Sequence, residues 1–129
     1  MLEPETKEKS VLIVDDSSLI LERLTEMLTE AGSVQVIFTA GNFNDAAQSI
    51  SENEPDIVLL DIQLQSEKNG IDLLRLITKD YPAIKVLMIS NQASEYYQRL
   101  CKNEGAIGFI DKSKDFDLIP QLIGELQRQ

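Results

Sequence analysis

The sequence predicts an α/β fold: a doubly wound parallel sheet of five strands in the order 2-1-3-4-5, with five helices over its two faces. Three observations carry that expectation. PDIVLLD, Pro55 to Asp61, holds four consecutive apolar residues with no polar alternation, as suits a strand buried on both faces at the centre of a parallel sheet. Strand-like and helix-like segments alternate five times with short connections, and right-handed crossovers leave few arrangements for them. The second strand is the least apolar, so an order that puts it at an edge and PDIVLLD in the middle is preferred.

The elements follow in chain order. Residues 1–9, MLEPETKEK, read as a polar leader to a single domain spanning 1–129. Val11–Val14 is the first buried strand and runs directly into Asp15-Asp16. Ser17 or Ser18 caps a helix with Ile20, Leu24, Met27, Leu28 and Ala31 at helical period, and Gly32 stops it. Val34 to Thr39 is the edge strand, and Gly41-Asn42 turns the chain. Asn44 is the expected cap of a short helix through Ile50 or Glu52, with Phe43, Ala46, Ala47 and Ile50 inward. A polar loop, Gln63 to Asn69, follows PDIVLLD.

The third helix is expected from about Gly70 to Asp80, ended by Tyr81-Pro82 because proline disfavours helix in the residue before it. Lys85 to Ile89 is a fourth strand finishing in Ser90. Ser94 caps a helix through Asn103, with Gly105 beyond it. Ala106 to Ile110 is a fifth strand closing on Asp111-Lys112. The last helix starts near Asp115 or Asp117; Asp117 is the preferred cap, since Pro120 then falls in the first turn.

Composition narrows what such a fold does. With 22 acidic against 12 basic residues the net charge is −10, which repels nucleic acid and anionic membranes, so direct nucleic-acid binding is not expected. No apolar stretch approaches 18 residues and no basic leader precedes an apolar run, so neither a membrane span nor export is expected. The single cysteine, Cys101, makes no internal disulfide and suits a reducing cytoplasm. The 129 residues contain no histidine, which excludes imidazole catalysis and histidine-ligated metals.

Four of the five strands end in polar groups: Asp15-Asp16, Asp61, Ser90 and Lys112. Each alone has a plain reading as a helix cap, a turn residue, a strand end or a solvated lysine. In this topology all four ends converge on one crevice. Three carboxylates and one ammonium leave about −2, and crowded like charges raise one another's pKa. A divalent cation restores neutrality, and a ligand set of hard oxygens alone points to Mg²⁺. A carboxylate nucleophile beside Mg²⁺, with a lysine and a hydroxyl for equatorial oxygens, is arranged to accept a phosphoryl group.

On these residues, with Gly70 opening the third helix and Lys112 in GAIGFIDKS, the chain resembles the receiver domains of bacterial two-component response regulators, which share a flavodoxin-like sheet. The resemblance spans about residues 10–127. It implies that Asp61 is phosphorylated and that Asp16, Asp61 and the backbone carbonyl of Gln63 ligate Mg²⁺, with Asp15 assisting. It further implies that Ser90 hydrogen-bonds a phosphoryl oxygen and Lys112 ion-pairs with it. Switching would couple Ser90 to Phe109, with Tyr96 and Tyr97 as aromatic anchors on a partner face made by helix four, strand five and helix five. The implied partners are a histidine kinase or histidine phosphotransferase, a downstream target or output domain, and a second copy on phosphorylation.

Departures from the family pattern carry their own expectations. Ser113 replaces a proline often preceded by a cis bond; before serine a cis bond would cost ~3 kcal/mol, so a trans bond or a different loop is expected. A non-proline there resembles the subgroup whose outputs are helix-turn-helix domains, so an excised receiver of such a regulator is one alternative. A degenerate receiver that signals without phosphate is another. Gln65 stands where a proline often follows the acceptor loop, Asn91 is bulkier than usual, and Gln63 and Gln92 occupy variable positions associated with the hydrolytic water. A phosphatase using an aspartyl-phosphate is disfavoured, because Gln63 stands where a second acid is needed and no cap segment exists. A flavin carrier lacks its hydroxyl-rich loops.

Overall fold

Val11 to Val14 and Ile57 to Leu60 are almost wholly shut off from solvent, so both faces of these strands are covered, as their unbroken apolar runs demand. In the computed structural model, which describes residues 9–64 and 67–127, five strands form one parallel sheet. They are β1 (Ser10–Val14), β2 (Val36–Ala40), β3 (Ile57–Asp61), β4 (Lys85–Ser90) and β5 (Gly108–Asp111), in the order β2-β1-β3-β4-β5. β3 is central and β2, with three half-buried residues and an exposed Thr39, lies at an edge, as expected.

Strand alternation divides the core in two. Leu12, Val14, Val58, Leu60, Val86 and Met88 face one side and pack against helices α2 (Phe43–Asn53), α3 (Gly70–Asp80) and α4 (Glu95–Asn103) through Ile50, Leu74, Ile77 and Cys101. Val11, Ile13, Ile57, Leu59, Leu87 and Ile89 face the other and pack against α1 (Ser18–Ala31) and α5 (Ile119–Gln127) through Leu24, Leu28, Ile119 and Ile123. Among the described residues no helix is long and apolar enough to cross a membrane.

Helix ends follow local chemistry. The Ser17 hydroxyl accepts from the Ile20 N–H at 3.3 Å to start α1, and Gly32 closes it at φ 68°, a conformation that costs glycine little. Ser94 caps α4 as expected, and Asn69 with Asp72 forms a reciprocal capping box on α3.

Several boundaries differ from the sequence expectation. Asn42, not Asn44, caps α2, accepting from the Asp45 N–H at 2.8 Å, because burial of Phe43 draws that residue into the first turn. β2 begins at Val36, where pairing with Ser10 starts; its N–H and that of Gln35 just before it both donate to the Lys9 carbonyl. Ala31 is exposed. β5 is shorter than expected; Ile107 already donates to the Val86 carbonyl at 2.9 Å, but regular pairing starts at Gly108. Asp117 does not cap the last helix: a 3₁₀ turn, Phe116–Leu118, leads straight into α5, with Pro120 in its first turn. Of the expected leader only Lys9 is described, and Gln65 lies outside the described residues.

Gly70 fixes how α3 meets the end of β3. A Cβ there would stand 2.0 Å from the Asp61 carbonyl oxygen and 2.8 Å from the Ile62 Cα, while the Gly70 N–H donates to the Ile62 carbonyl at 2.8 Å. Any side chain would force this backbone apart. Gly70→Ala is therefore expected to destabilise by about 3 kcal/mol, whereas Gly108→Ala, whose Cβ would meet only the flexible end of Leu87, costs roughly 1 kcal/mol; urea unfolding of the two variants measures the difference.

Candidate functional site

Asp15 and Asp61 emerge side by side because β1 and β3 pair in register at Val14 and Leu60, the residues just before them. By strand alternation Asp15 follows Ile13, and Asp61 follows Leu59, onto the sheet face covered by α1 and α5. Lys112, just past β5, reaches back to both: its Nζ lies 2.5 Å from Asp15 Oδ2 and 3.2 Å from Asp61 Oδ2. Its side chain is 8% exposed, and those of Asp15 and Asp61 are 1% and 9% exposed, so the triad is nearly dry.

Burial pushes the Asp61 carboxyl above its ordinary pKa; Lys112 pulls it down, the Asp15 charge pushes it further up, and the net direction is upward. For Lys112, burial works to lower the pKa, but the hydrogen bond to Asp15 and the charges of Asp61 and Asp15 outweigh it and hold the ammonium above its usual value. Asp15 is fully engaged, since its Oδ1 accepts from the Ser17 N–H at 2.9 Å while Oδ2 takes Lys112. Asp16 is exposed and has no such partner among the described residues.

Asp15, Asp16 and Asp61 each place a carboxylate oxygen within 4.8 Å of the others. Three hard oxygen donors, one of them uncommitted, beside a crevice that retains negative charge fit a small divalent cation of the Mg²⁺ type. The Gln63 N–H donates to Asp61 Oδ1 at 3.3 Å, which turns that peptide over the carboxylate. Ser90 is 2% exposed; its Oγ accepts from the Gln92 N–H at 2.9 Å and keeps its own proton to donate. The structure thus brings Asp15, Asp16, Asp61, Gln63, Ser90 and Lys112 around one cavity of about 630 Å³.

Phe109, Tyr96 and Tyr97 lie elsewhere. Phe109 is half-buried on β5, packs on the core face shared with α4, and lines a groove of about 740 Å³ beside α4. Tyr96 is 69% exposed and meets half-buried Tyr97 edge-on, with ring centroids 5.4 Å apart. The Lys112–Ser113 peptide is trans, and Ser113 gives both its N–H and its hydroxyl to Asp111 Oδ1, at 2.9 and 2.6 Å.

Sequence reading missed the outer wall of the crevice, where Ile20, Arg23, Phe116 and Asp117 line the cavity. The i, i+3 spacing of Ile20 and Arg23 one turn beyond Asp16 was a signal for the first two; the fold of the loop after Lys112 alone brings Phe116. It also missed the side-chain bridge from Gln63 Nε2 to Gln92 Oε1, 3.1 Å across the crevice mouth.

An acidic crevice at the carboxyl edge of a doubly wound sheet, with a buried lysine paired to its deepest acids, offers oxygen ligands and an ammonium side by side. The chain belongs to the response regulator receiver domain family, whose pattern matches residues 11–124, and is a signalling module of two-component systems. It is 34% identical over 113 residues to the transcriptional regulatory protein LnrK of Bacillus subtilis, a match covering 88% of this chain and 51% of that protein. It is 36% identical over 104 residues to a protein-glutamate methylesterase/protein-glutamine glutaminase of the same organism, covering 79% of this chain and 29% of the relative. The chain thus spans about half or less of these relatives. Among solved structures, the CheX–CheY–BeF3–Mg complex from Borrelia burgdorferi matches with a TM-score of 0.77 at 31% identity, covering 88% of each chain.

The raised pKa of Asp61 is a stability statement about the metal-free protein. A carboxyl whose pKa rises on folding imposes no penalty while protonated, below its unfolded value of 3.8, and a growing one as pH rises through its folded value. The penalty falls on Asp61 because it is buried, while Asp16 lies exposed. In EDTA at pH 7, Asp61→Asn is expected to raise Tm by a few degrees, on the order of 1 kcal/mol, with the gain shrinking as pH falls towards 3.8. Thermal melts across that range check it.

Proposed function

We propose that Asp61 accepts a phosphoryl group from a phosphohistidine on a partner kinase or phosphotransferase, and that the phosphorylated chain changes its affinity for a protein target. The observation that carries this reading is Lys112 Nζ at 3.2 Å from Asp61 Oδ2, with the carboxylate oxygens of Asp15, Asp16 and Asp61 gathered within 4.8 Å. Asp15, Asp16 and Asp61, with the Gln63 carbonyl, would hold Mg²⁺. When bound, the ion supplies positive charge against the phosphoryl oxygens.

One Asp61 oxygen attacks phosphorus as the bond to the donor breaks. The Lys112 ammonium, already facing that carboxylate, takes an equatorial oxygen, and the Ser90 hydroxyl donates its unspent proton to another. Lys112 cannot serve both partners equally once three phosphoryl oxygens enter, so its hold on Asp15 weakens. Ser90 ends β4, where Met88 pairs with Phe109 of β5, so a shift of the hydroxyl bears on the Phe109 ring and on the α4–β5–α5 face with Tyr96 and Tyr97. Asn91 lines the cavity and narrows access to it, and Gln63 with Gln92 stands over its mouth.

Residues 1–129 read as one receiver domain working in the cytoplasm, where its single, free cysteine would stay reduced. Its net charge of −10 argues against direct contact with nucleic acid. A second reading, a receiver that drives an attached transcription-regulating output, is favoured by the likeness to LnrK. Incubation with Mg²⁺ and acetyl phosphate is expected to add about 80 Da in intact mass spectrometry. EDTA or Asp61→Asn abolishes the adduct, and an adduct that survives Asp61→Asn defeats the assignment.

A further inference from the structure

A phosphoryl group fills only part of the crevice. One water takes about 30 Å³ of liquid volume, and the cavity is about 630 Å³. The remaining space runs past α1 and the turn after β5, walled by Ile20, Arg23, Phe116 and Asp117. The Arg23 guanidinium lies 4.8 Å over the centroid of the Phe116 ring, and among the described residues it makes no hydrogen bond or ion pair. Stacking holds the guanidinium plane and leaves its edge N–H donors unspent. Lys112 already answers Asp15 and Asp61, so Arg23 is a second cation at the crevice, one that no carboxylate among the described residues pairs with.

We infer that Arg23 holds the departing carboxylate when the donor is a small acyl phosphate, and so sets how strongly the crevice favours such a donor over one that leaves no carboxylate. The inference rests on the phosphoryl-acceptor reading of Asp61. In the transfer, an Asp61 oxygen forms a bond to phosphorus while the phosphorus–oxygen bond to the acyl group breaks. The electron pair leaves on the acyl oxygen, and a carboxylate is released. Because the transition state is loose, negative charge builds on that oxygen and its carbonyl before departure is complete.

A guanidinium fork matches a forming carboxylate in a bidentate way, so its hold on the donor grows as the reaction proceeds, which is the condition for acceleration. The apolar flanks of Ile20 and Phe116 suit a short acyl chain. A phosphoramidate donor breaks a phosphorus–nitrogen bond instead and departs as ammonia after taking a proton from solvent. It gives Arg23 no carboxylate to hold.

The test compares donors on the full chain with Mg²⁺, measuring by intact mass the rate constants for acetyl phosphate and for phosphoramidate, and reading their ratio. Arg23→Gln is expected to lower the ratio about tenfold, below the 10²–10³ typical of a fully buried oxyanion donor because Arg23 is exposed. Arg23→Lys, which keeps the charge without the fork, recovers part of the loss, and Phe116→Leu, which removes the stack, lowers the ratio less than Arg23→Gln does. A general loss of folding slows both donors alike and leaves the ratio unmoved. An unchanged or increased ratio in an Arg23→Gln variant that keeps the unsubstituted chain's rate with phosphoramidate overturns the inference while leaving the Asp61 reading standing; no labelling of the unsubstituted chain by either donor defeats that reading itself.

Discussion

The Lys112 ammonium, held between the Asp15 and Asp61 carboxylates at 2.5 and 3.2 Å, is the interaction on which the rest of the structure depends. All three side chains are nearly excluded from water, and a buried charge is tolerable only while its partner is present. Of the four buried polar residues among those described, Ser10, Asp15, Asp61 and Ser90, three sit at this one edge of the sheet. Burial raises the Asp61 pKa, and Asp15's charge adds to that rise against the pull of Lys112. Asp16, left at the rim, adds charge without relieving it. The crevice therefore carries uncompensated negative charge that a cation would offset.

The scaffold is shaped to keep those charges close. A parallel sheet in register at Val14 and Leu60 sets Asp15 beside Asp61, and its two apolar faces bury β1 and β3 so completely that neither strand can slip. Gly70 lets α3 begin in direct contact with the Asp61 backbone, so that main chain is braced from behind. These contacts use the core's rigidity to hold an electrostatically unfavourable cluster, the usual relation between stability and a functional site.

The crevice and the groove beside α4 are linked through adjacent strands. Ser90 closes β4 at the crevice, and Phe109 on neighbouring β5 lines the groove, so a change at one is one strand away from the other. Phe109 is half-buried and carries no hydroxyl, so its position is set by packing and not by a hydrogen-bond partner. At the opposite wall, Arg23 stacked on Phe116 lines the outer part of the crevice.

Apolar runs, turn residues and strand-end chemistry are properties of short stretches, and these the sequence determined by itself. Ile57 to Leu60 announced a central strand, Gly32 and Ser94 marked helix ends, and the acids, serine and lysine at the carboxyl edge of strands one, three, four and five identified the crevice once the topology was inferred. Choices between chemically equal neighbours were not legible. Asn42 and Asn44 both could cap α2, and only the burial of Phe43 between them decided. Tertiary structure alone chose which acid Lys112 grips more closely, left Asp16 outside, laid Arg23 on Phe116 and joined Gln63 to Gln92 across 29 residues of chain. Each of these depends on where separate elements come to rest in space, and no local pattern of residues encodes that distance.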